Sequence, residues 1–174
     1  HALVDVQYTV SPEFLQLHGI TKGVMTLVDE ERQAALTGAL EQSPISSASG
    51  GAAANTVIGV ASFGGCAYYA CQLGADEWGD FYQHDLEKAG VHSSPANRTP
   101  GRTGQCLIFI TPDADRTMNT CLGVSRQMGP GQVEEAVLAA SRYVYLEGYL
   151  LSTESGFAAC RRAQDLARRH GVGV

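Results

Sequence analysis

The sequence predicts an α/β fold with a largely parallel sheet, because extended segments alternate with helical segments along the chain. Residues 2–10 alternate apolar and polar positions, which is typical of a half-buried strand. Residues 155–170 place apolar side chains at helical spacing, with arginines on the other side. The 174 residues are enough for one domain with a substantial core.

In the first part of the chain, the strand pattern of residues 2–10 ends at Ser11-Pro12, and residues 21–27 indicate a second, short extended piece. Asp29 is predicted to cap a helix. A glycine-rich loop then leads into another helix, which Gly64-Gly65 ends.

The middle of the chain predicts a buried strand at residues 66–71 and a helix between Asp76 and Gly90. The apolar stripe of this helix, which includes Trp78 and Tyr82, is typical of a core contact and not of a cofactor site.

Residues 105–111 and 116–122 predict a hairpin that departs from the strand–helix alternation and is expected to project as a small flap. Residues 143–147 predict a buried strand. In the last helix, Phe157 is expected to point inward with Cys160, Leu166 and Ala167. The sequence starts within one strand pattern and stops at the start of another, so we expect a fragment of a larger protein.

Composition excludes several function classes. The net charge of -6 and the lack of a basic stripe argue against nucleic-acid binding. The five cysteines form no CxxC pair, and no histidine lies at ligand spacing from them, so we expect reduced thiols and no metal site. No apolar run reaches membrane-spanning length and no signal peptide opens the sequence, which predicts a cytoplasmic protein without a membrane partner.

Residues 49–55 have the most unusual composition, with two glycines, three alanines and one asparagine before an apolar helical run. Paired glycines let a ligand approach bare backbone amides, and a helix that starts there has unpaired N–H groups. The same residues also fit a tightly packed loop-to-helix junction that binds nothing. The residues alone leave both interpretations open.

Several motifs in order resemble the N-terminal signature of the ribokinase-like (PfkB) carbohydrate and nucleoside kinases. They are Ala2-Leu3-Val4-Asp5, Gly50-Gly51-x-x-x-Asn55, Gly64-Gly65, Leu73-Gly74-x-Asp76-x-x-Gly79, Thr103-Gly104 and Asp115-Arg116-Thr117-Met118. Lys22-Gly23, Arg116-Thr117-Met118 and residues 146–150 favour the branch that resembles adenosine kinase.

The resemblance implies a doubly wound, mostly parallel sheet with a small β lid, of which residues 1–174 are the N-terminal part and lack the C-terminal half. The lid segments would lie near residues 18–28 and 103–123. The implied reaction transfers the γ-phosphoryl group of ATP, with Mg²⁺, to a primary hydroxyl of a sugar or nucleoside. A homodimer that forms through the lid is a further implication.

The resemblance also assigns site residues. Asp5 would accept hydrogen bonds from sugar hydroxyls, and Arg116 would face the transferring phosphoryl group. The remaining implied substrate-binding residues are Gly50, Gly51 and Asn55 at the sugar, and Met25, Leu27 and Met118 over a base. Without the resemblance, Asp5 also fits a strand-end turn and Arg116 a solvated hairpin end.

The sequence departs from the family pattern at His1, where asparagine is common, and at Ala52, where serine is common. The Asn-x-x-Glu and Gly-Ala-Gly-Asp motifs are absent and would lie beyond Val174, so this stretch alone is not expected to catalyse. Two alternatives are a non-catalytic sugar- or nucleoside-binding module and a dinucleotide-dependent oxidoreductase. The second lacks its GxGxxG signature.

Overall fold

A computed structural model describes all of residues 1–174. The helices are α1 (Pro12–Leu17), α2 (Glu30–Gly38), α3 (Ala52–Ser62), α4 (Glu77–Lys88), α5 (Glu135–Ala139) and α6 (Glu154–His170). The strands are β1 (Leu3–Thr9), β2 (Met25–Leu27), β3 (Ser46–Gly50), β4 (Ala67–Tyr68), β5 (Leu73–Gly74), β6 (Val91–His92), β7 (Arg98–Thr99), β8 (Gly104–Ile110) and β9 (Arg116–Cys121). Short 3₁₀ turns cover Gly123–Gln127, Pro130–Gln132 and Gly148–Ser152.

The largest sheet has five strands in the order β2-β9-β8-β1-β3. Two further sheets each contain one parallel pair, β4 with β6 and β5 with β7. Within the large sheet β1 pairs in parallel with β8 and β2 with β9, whereas β1 with β3 and β8 with β9 are antiparallel. Parallel pairing therefore predominates, and the predicted α/β class is confirmed.

One face of the large sheet is the main core. Val4, Val6 and Tyr8 of β1 are buried with Leu107 and Phe109 of β8. The helices cover this face with buried apolar side chains, which are Leu15 of α1, Leu36 of α2, Ala54 of α3, and Tyr82 and Leu86 of α4. The alternation in residues 2–10 therefore predicted the buried face correctly.

Local signals in the sequence also predicted the helix ends. The Asp29 side chain accepts a hydrogen bond from the Arg32 N–H at 2.8 Å and begins α2. The Asp76 side chain accepts from the Gly79 N–H at 2.9 Å and begins α4. Gly171 ends α6 in the left-handed conformation, with φ 67°. Such caps depend on neighbours within four residues, which is why they can be read from sequence.

Four predictions about the chain from residue 66 onward are wrong. The hairpin of residues 105–111 and 116–122 does not project as a separate flap, because β8 lies between β1 and β9 in the five-stranded sheet. The strand at residues 66–71 shortens to β4, and residues 143–147 form no strand, because Tyr143 makes a single bridge to Gly173 and has no further lateral partner. Phe157 is 50% exposed, because the buried stripe of α6 runs through Gly156, Ala159 and Cys160. Phe157 lies about 100° around the helix from Gly156.

All five cysteines are free thiols; Cys66 is exposed and the other four are buried. None of the helices combines the length and the apolar character needed to cross a bilayer. The cytoplasmic location stays a prediction.

Candidate functional site

The sheet face opposite the helices brings together residues that the sequence placed in one site. Asp5 pairs with Cys106, Cys106 with Thr120, and Thr120 with Leu27, so these four residues form one row across four strands. Residues paired across strands project on the same side of a sheet. Asp5 and Leu27 therefore lie on the same face.

The next rows of this face contain the other predicted lid residues. Met25 pairs with Met118, Met118 with Ile108, and Ile108 with Gln7. Arg116 pairs with Ile110 in the row beyond. Asp5, Met25, Leu27, Met118 and Arg116 thus share one surface, which we call the lid face.

Asp5 is half-buried on the lid face, and its carboxylate makes no hydrogen bond or ion pair with the protein. Burial raises the pKa of the Asp5 carboxyl, and the positive charge of Arg116 opposes this shift. A partly desolvated carboxylate without a partner is unfavourable unless a ligand supplies hydrogen-bond donors. Asp5 is therefore free to accept hydrogen bonds from a ligand.

The glycine pair contacts Asp5 and the start of the chain directly. A Cβ atom on Gly50 would lie 2.4 Å from Asp5 Cγ, and a Cβ atom on Gly51 would lie 2.4 Å from the His1 carbonyl oxygen. Gly51 has φ +95°, a conformation that L side chains rarely adopt, and α3 begins at the following residue. Close packing thus requires glycine at both positions, and the Asp5 carboxylate occupies the space over Gly50.

Helix α4 holds the end of β3 through three hydrogen bonds. The Tyr82 hydroxyl donates to the Gly50 carbonyl at 2.9 Å. The Ser49 N–H donates to Asp85 Oδ2 at 2.7 Å, and the Ser49 hydroxyl donates to the Tyr82 carbonyl at 3.2 Å. These bonds fix the glycine pair to the helical body. They could not be predicted from sequence, because the partners are more than thirty residues apart.

Asn55 lies early in α3, where its backbone N–H donates to the Gly51 carbonyl at 3.0 Å. Its side chain is exposed and makes no hydrogen bond within the protein. The helix that starts at the glycine pair therefore carries Asn55, but the side chain does not contact Asp5.

Arg116 is exposed at one end of β9, and its guanidinium has no ion-pair partner. The neighbouring loop is held in place separately. Lys22 forms an ion pair with Asp113, which lowers the pKa of that carboxyl to about 2, and the Gly23 N–H donates to Thr117 Oγ1 at 2.9 Å. Arg116 thus remains a free cation on the same face as Asp5.

Cys106 and Thr120 also belong to the lid face, and sequence reasoning missed them. Thr120 Oγ1 donates to Cys106 Sγ at 3.3 Å, and burial raises the pKa of the Cys106 thiol to about 11. Side chains alternate between the two faces along β8 and β9, so the pairing of these strands with β1 at Asp5 would have placed both residues on the lid face.

The fold and this face together define a ribokinase-like α/β protein, in which a β sheet joins a helical body at a glycine pair. Residues 18–174 match the family model described as pfkB family carbohydrate kinase, so the chain belongs to that family.

Two solved structures and one curated protein are similar to this chain. The structure of adenosine kinase from Sinorhizobium meliloti has a TM-score of 0.87 and 38% identity, over 98% of this chain and 52% of that one. A probable sugar kinase protein from Rhizobium etli CFN 42 has a TM-score of 0.86 and 36% identity, with the same coverage. An uncharacterized sugar kinase of Escherichia coli (strain K12), YegV, is 29% identical over 107 residues, which are 62% of this chain and 33% of that protein.

The chain thus spans about half the length of the two solved structures. These findings confirm the predicted family and fold class. Kinases of this family use ATP, usually with a divalent metal ion. No group of three or more His, Cys, Asp and Glu side chains in these 174 residues is arranged to hold a metal ion.

Proposed function

We propose that the protein transfers the γ-phosphoryl group of ATP to a primary hydroxyl of a sugar or nucleoside, and that this chain supplies the acceptor side of the site. The observation that carries the proposal is Asp5, a half-buried carboxylate with no partner in the protein. An ionised carboxylate can accept hydrogen bonds from two neighbouring hydroxyls at once, which suits the diol of a sugar ring.

The glycine pair gives the acceptor its place beside Asp5. Gly50 keeps a side chain away from the carboxylate, Gly51 allows the turn into α3, and the first turn of α3 presents N–H groups that no side chain caps. Asn55 adds a free amide that can both donate and accept. Together these groups would orient the acceptor hydroxyls, and the bonds from Tyr82 and Asp85 would hold the glycines still.

Arg116 would act on the other reactant. Its exposed, unpaired guanidinium lies on the lid face, where closure over the acceptor would bring it to the transferring group. A positioned cation stabilises charge that develops on a phosphoryl group in the transition state. No residue of this chain is assigned the role of general base, so we propose that these 174 residues alone are inactive.

The apolar part of the lid face favours a nucleoside over a simple sugar. Met25 is 48% exposed and Leu27 61% exposed, and Met118 lies beside Met25. Such a surface can cover the flat face of a base, and the similarity to an adenosine kinase structure is in line with adenosine or a related acceptor.

The same exposed lid residues, with Val24 at 43% exposure, would also suit a contact with a second copy of the chain. We propose a homodimer through the lid. Sedimentation of the wild-type protein and of Val24→Lys tests it, and a wild-type monomer at micromolar concentration would contradict it.

The deciding experiment is a screen of the complete protein for ATP consumption with adenosine, ribose, fructose and other sugars. We expect turnover with at least one acceptor, with adenosine the favoured candidate, and loss of that turnover in Asp5→Ala. A second candidate is a non-catalytic binding module that binds a sugar or nucleoside through the same unpartnered Asp5 carboxylate. That candidate predicts acceptor binding by calorimetry without any ATP consumption. Family membership gives no support to the dinucleotide-dependent oxidoreductase.

A further inference from the structure

A cavity of about 500 Å³ opens on the helical side of the large sheet. Its walls come from α2, the start of α4 and the start of β8. Gln105 in this wall pairs with Val4, whose side chain is on the core face, whereas the neighbouring Asp5 lies on the lid face. The cavity is therefore separated from the acceptor site by the sheet itself.

The cavity has one free positive charge. Arg102 in its wall is exposed and makes no ion pair or side-chain hydrogen bond. The only acidic side chain in the wall, Asp76, is already engaged by the Gly79 N–H, the Thr103 N–H and the Thr103 hydroxyl, at 2.9, 2.9 and 2.5 Å. Arg102 is thus available to an anionic ligand, and a guanidinium is well suited to phosphate.

Polar groups deeper in the cavity also lack protein partners. Gln33 is only 4% exposed, and its Nε2 donates to the Gln105 carbonyl at 3.2 Å. Its Oε1 accepts no hydrogen bond from the protein. The Gln105 side-chain amide and the Thr37 hydroxyl in the same wall are also unpaired. These groups offer the mixed donors and acceptors that the edge of a nucleobase requires.

Trp78 provides an aromatic surface in the same wall. Its ring is held by an edge-to-face contact with Phe81, with centroids 5.7 Å apart. Stacking of a base on an aromatic side chain contributes about 1–3 kcal/mol. The cavity volume lies within the range of small-molecule sites, roughly 300–1,000 Å³.

We propose that this cavity binds a mononucleotide, with the phosphate on Arg102 and the base against Trp78 beside Gln33 and Gln105. The site would bind one charged group and one flat ring. Binding of a mononucleotide here does not depend on the proposed phosphoryl transfer. It would give the protein a second small-molecule site, on the opposite side of the sheet from the acceptor.

Trp78 is the only tryptophan among these 174 residues, so a fluorescence change on binding that is lost in Trp78→Phe reports this cavity. We would titrate the Asp5→Asn protein with AMP, inorganic phosphate and adenosine, because that background weakens binding at the acceptor site. A saturable fluorescence change with AMP is expected, with at least tenfold weaker binding of phosphate or adenosine alone. Arg102→Ala should weaken AMP binding at least tenfold.

Arg161→Ala is the matched control, because Arg161 is an exposed arginine on α6 that makes no ion pair. It should bind AMP as the parent does. Calorimetry with the Asp5→Asn protein detects AMP binding that leaves the fluorescence unchanged, and circular dichroism confirms that each variant is folded. The proposal is overturned if neither method detects saturable AMP binding, if Arg102→Ala binds AMP unchanged, or if AMP binds to the wild type but not to Asp5→Asn.

Discussion

Replacement of Gly50 by alanine tests the contact between the glycine pair and the Asp5 carboxylate. The new Cβ would lie 2.4 Å from Asp5 Cγ and 2.5 Å from each carboxylate oxygen. Ordinary van der Waals contact starts at 3.4 Å, so the carboxylate must move by about 1 Å. Such overpacking typically costs about 1–3 kcal/mol of stability. Misplacement of a binding group by ~1 Å can lower the rate about 100-fold.

Two measurements follow from this geometry. Denaturant unfolding should show Gly50→Ala destabilised by about 1–3 kcal/mol, and kcat/KM for the acceptor should fall about 100-fold. The matched control is Gly59→Ala in α3, where a Cβ would meet nothing within 4 Å. Because alanine is favoured over glycine inside a helix by about 0.8–1 kcal/mol, this control should be stabilised and remain active.

A double-mutant cycle then assigns the loss to the carboxylate. In an Asp5→Ala background, Gly50→Ala should cost much less stability, because the atoms it collides with are gone. Two results would contradict a close contact between Gly50 and the Asp5 carboxylate. One is a Gly50→Ala variant with the stability and turnover of the wild type, and the other is a stability loss that is the same with and without the Asp5 carboxylate.

Asp5→Asn should lower acceptor kcat/KM about 100-fold, because a hydrogen bond to a charged group contributes about 1.5–3 kcal/mol. It should also raise the free energy of unfolding at pH 7, since burial raises the pKa of Asp5 and its ionisation opposes folding. Arg116→Ala should lower kcat more than acceptor affinity, as steady-state kinetics can show. Tyr82→Phe should lower the free energy of unfolding by about 1 kcal/mol and raise the acceptor KM, because the Gly50 carbonyl loses its donor. Thiol labelling of the native protein, read by peptide mass spectrometry, should modify Cys66 and not the other four cysteines of these 174 residues, because those four are buried.

The pH dependence of stability separates the two effects of Asp5. The unfavourable contribution of its ionised form is complete above the raised folded pKa, and it disappears below the unfolded value near 3.8. The stability advantage of Asp5→Asn should therefore shrink as the pH falls through this window. An advantage that is constant with pH, or an active Asn variant, would contradict the assigned role.

The other variants have matched controls. The control for Arg116→Ala is Arg161→Ala, which removes an exposed, unpaired arginine on α6 and should leave kcat unchanged. A loss of acceptor affinity without a loss of kcat in Arg116→Ala would contradict its phosphoryl-facing role. Tyr8→Phe removes another buried hydroxyl of the same core, which makes no hydrogen bond to Tyr82 or Gly50. A KM change of equal size in Tyr8→Phe and Tyr82→Phe would assign the effect to general core packing. Rapid labelling of Cys71, Cys106, Cys121 or Cys160 in the native protein would contradict the burial of these four cysteines.

Features set by near neighbours could be predicted from the sequence. The alternation in β1 gave the buried face, and Asp29, Asp76 and Gly171 gave helix ends, because each depends on the backbone within a few residues. The row of strand partners from Asp5 to Leu27 depends on the order of four strands. Only the family resemblance had placed those two residues in one site.

Features that need long-range contacts could not be predicted. The bond from Tyr82 to Gly50 joins residues far apart in the sequence, and nothing in the composition of α4 marks it. The residues at 143–147 have a strand composition but lack lateral partners, so composition alone was misleading there. The cavity at Arg102 likewise exists only because α2 and the start of β8 come together.

The most direct test is acceptor-dependent transfer of labelled γ-phosphoryl from ATP by the complete protein, measured for wild type and Asp5→Asn side by side. We expect a phosphorylated sugar or nucleoside with the wild type and a loss of about 100-fold with Asp5→Asn. A wild-type protein that binds these acceptors but phosphorylates none, or an Asn variant with full activity, would contradict it.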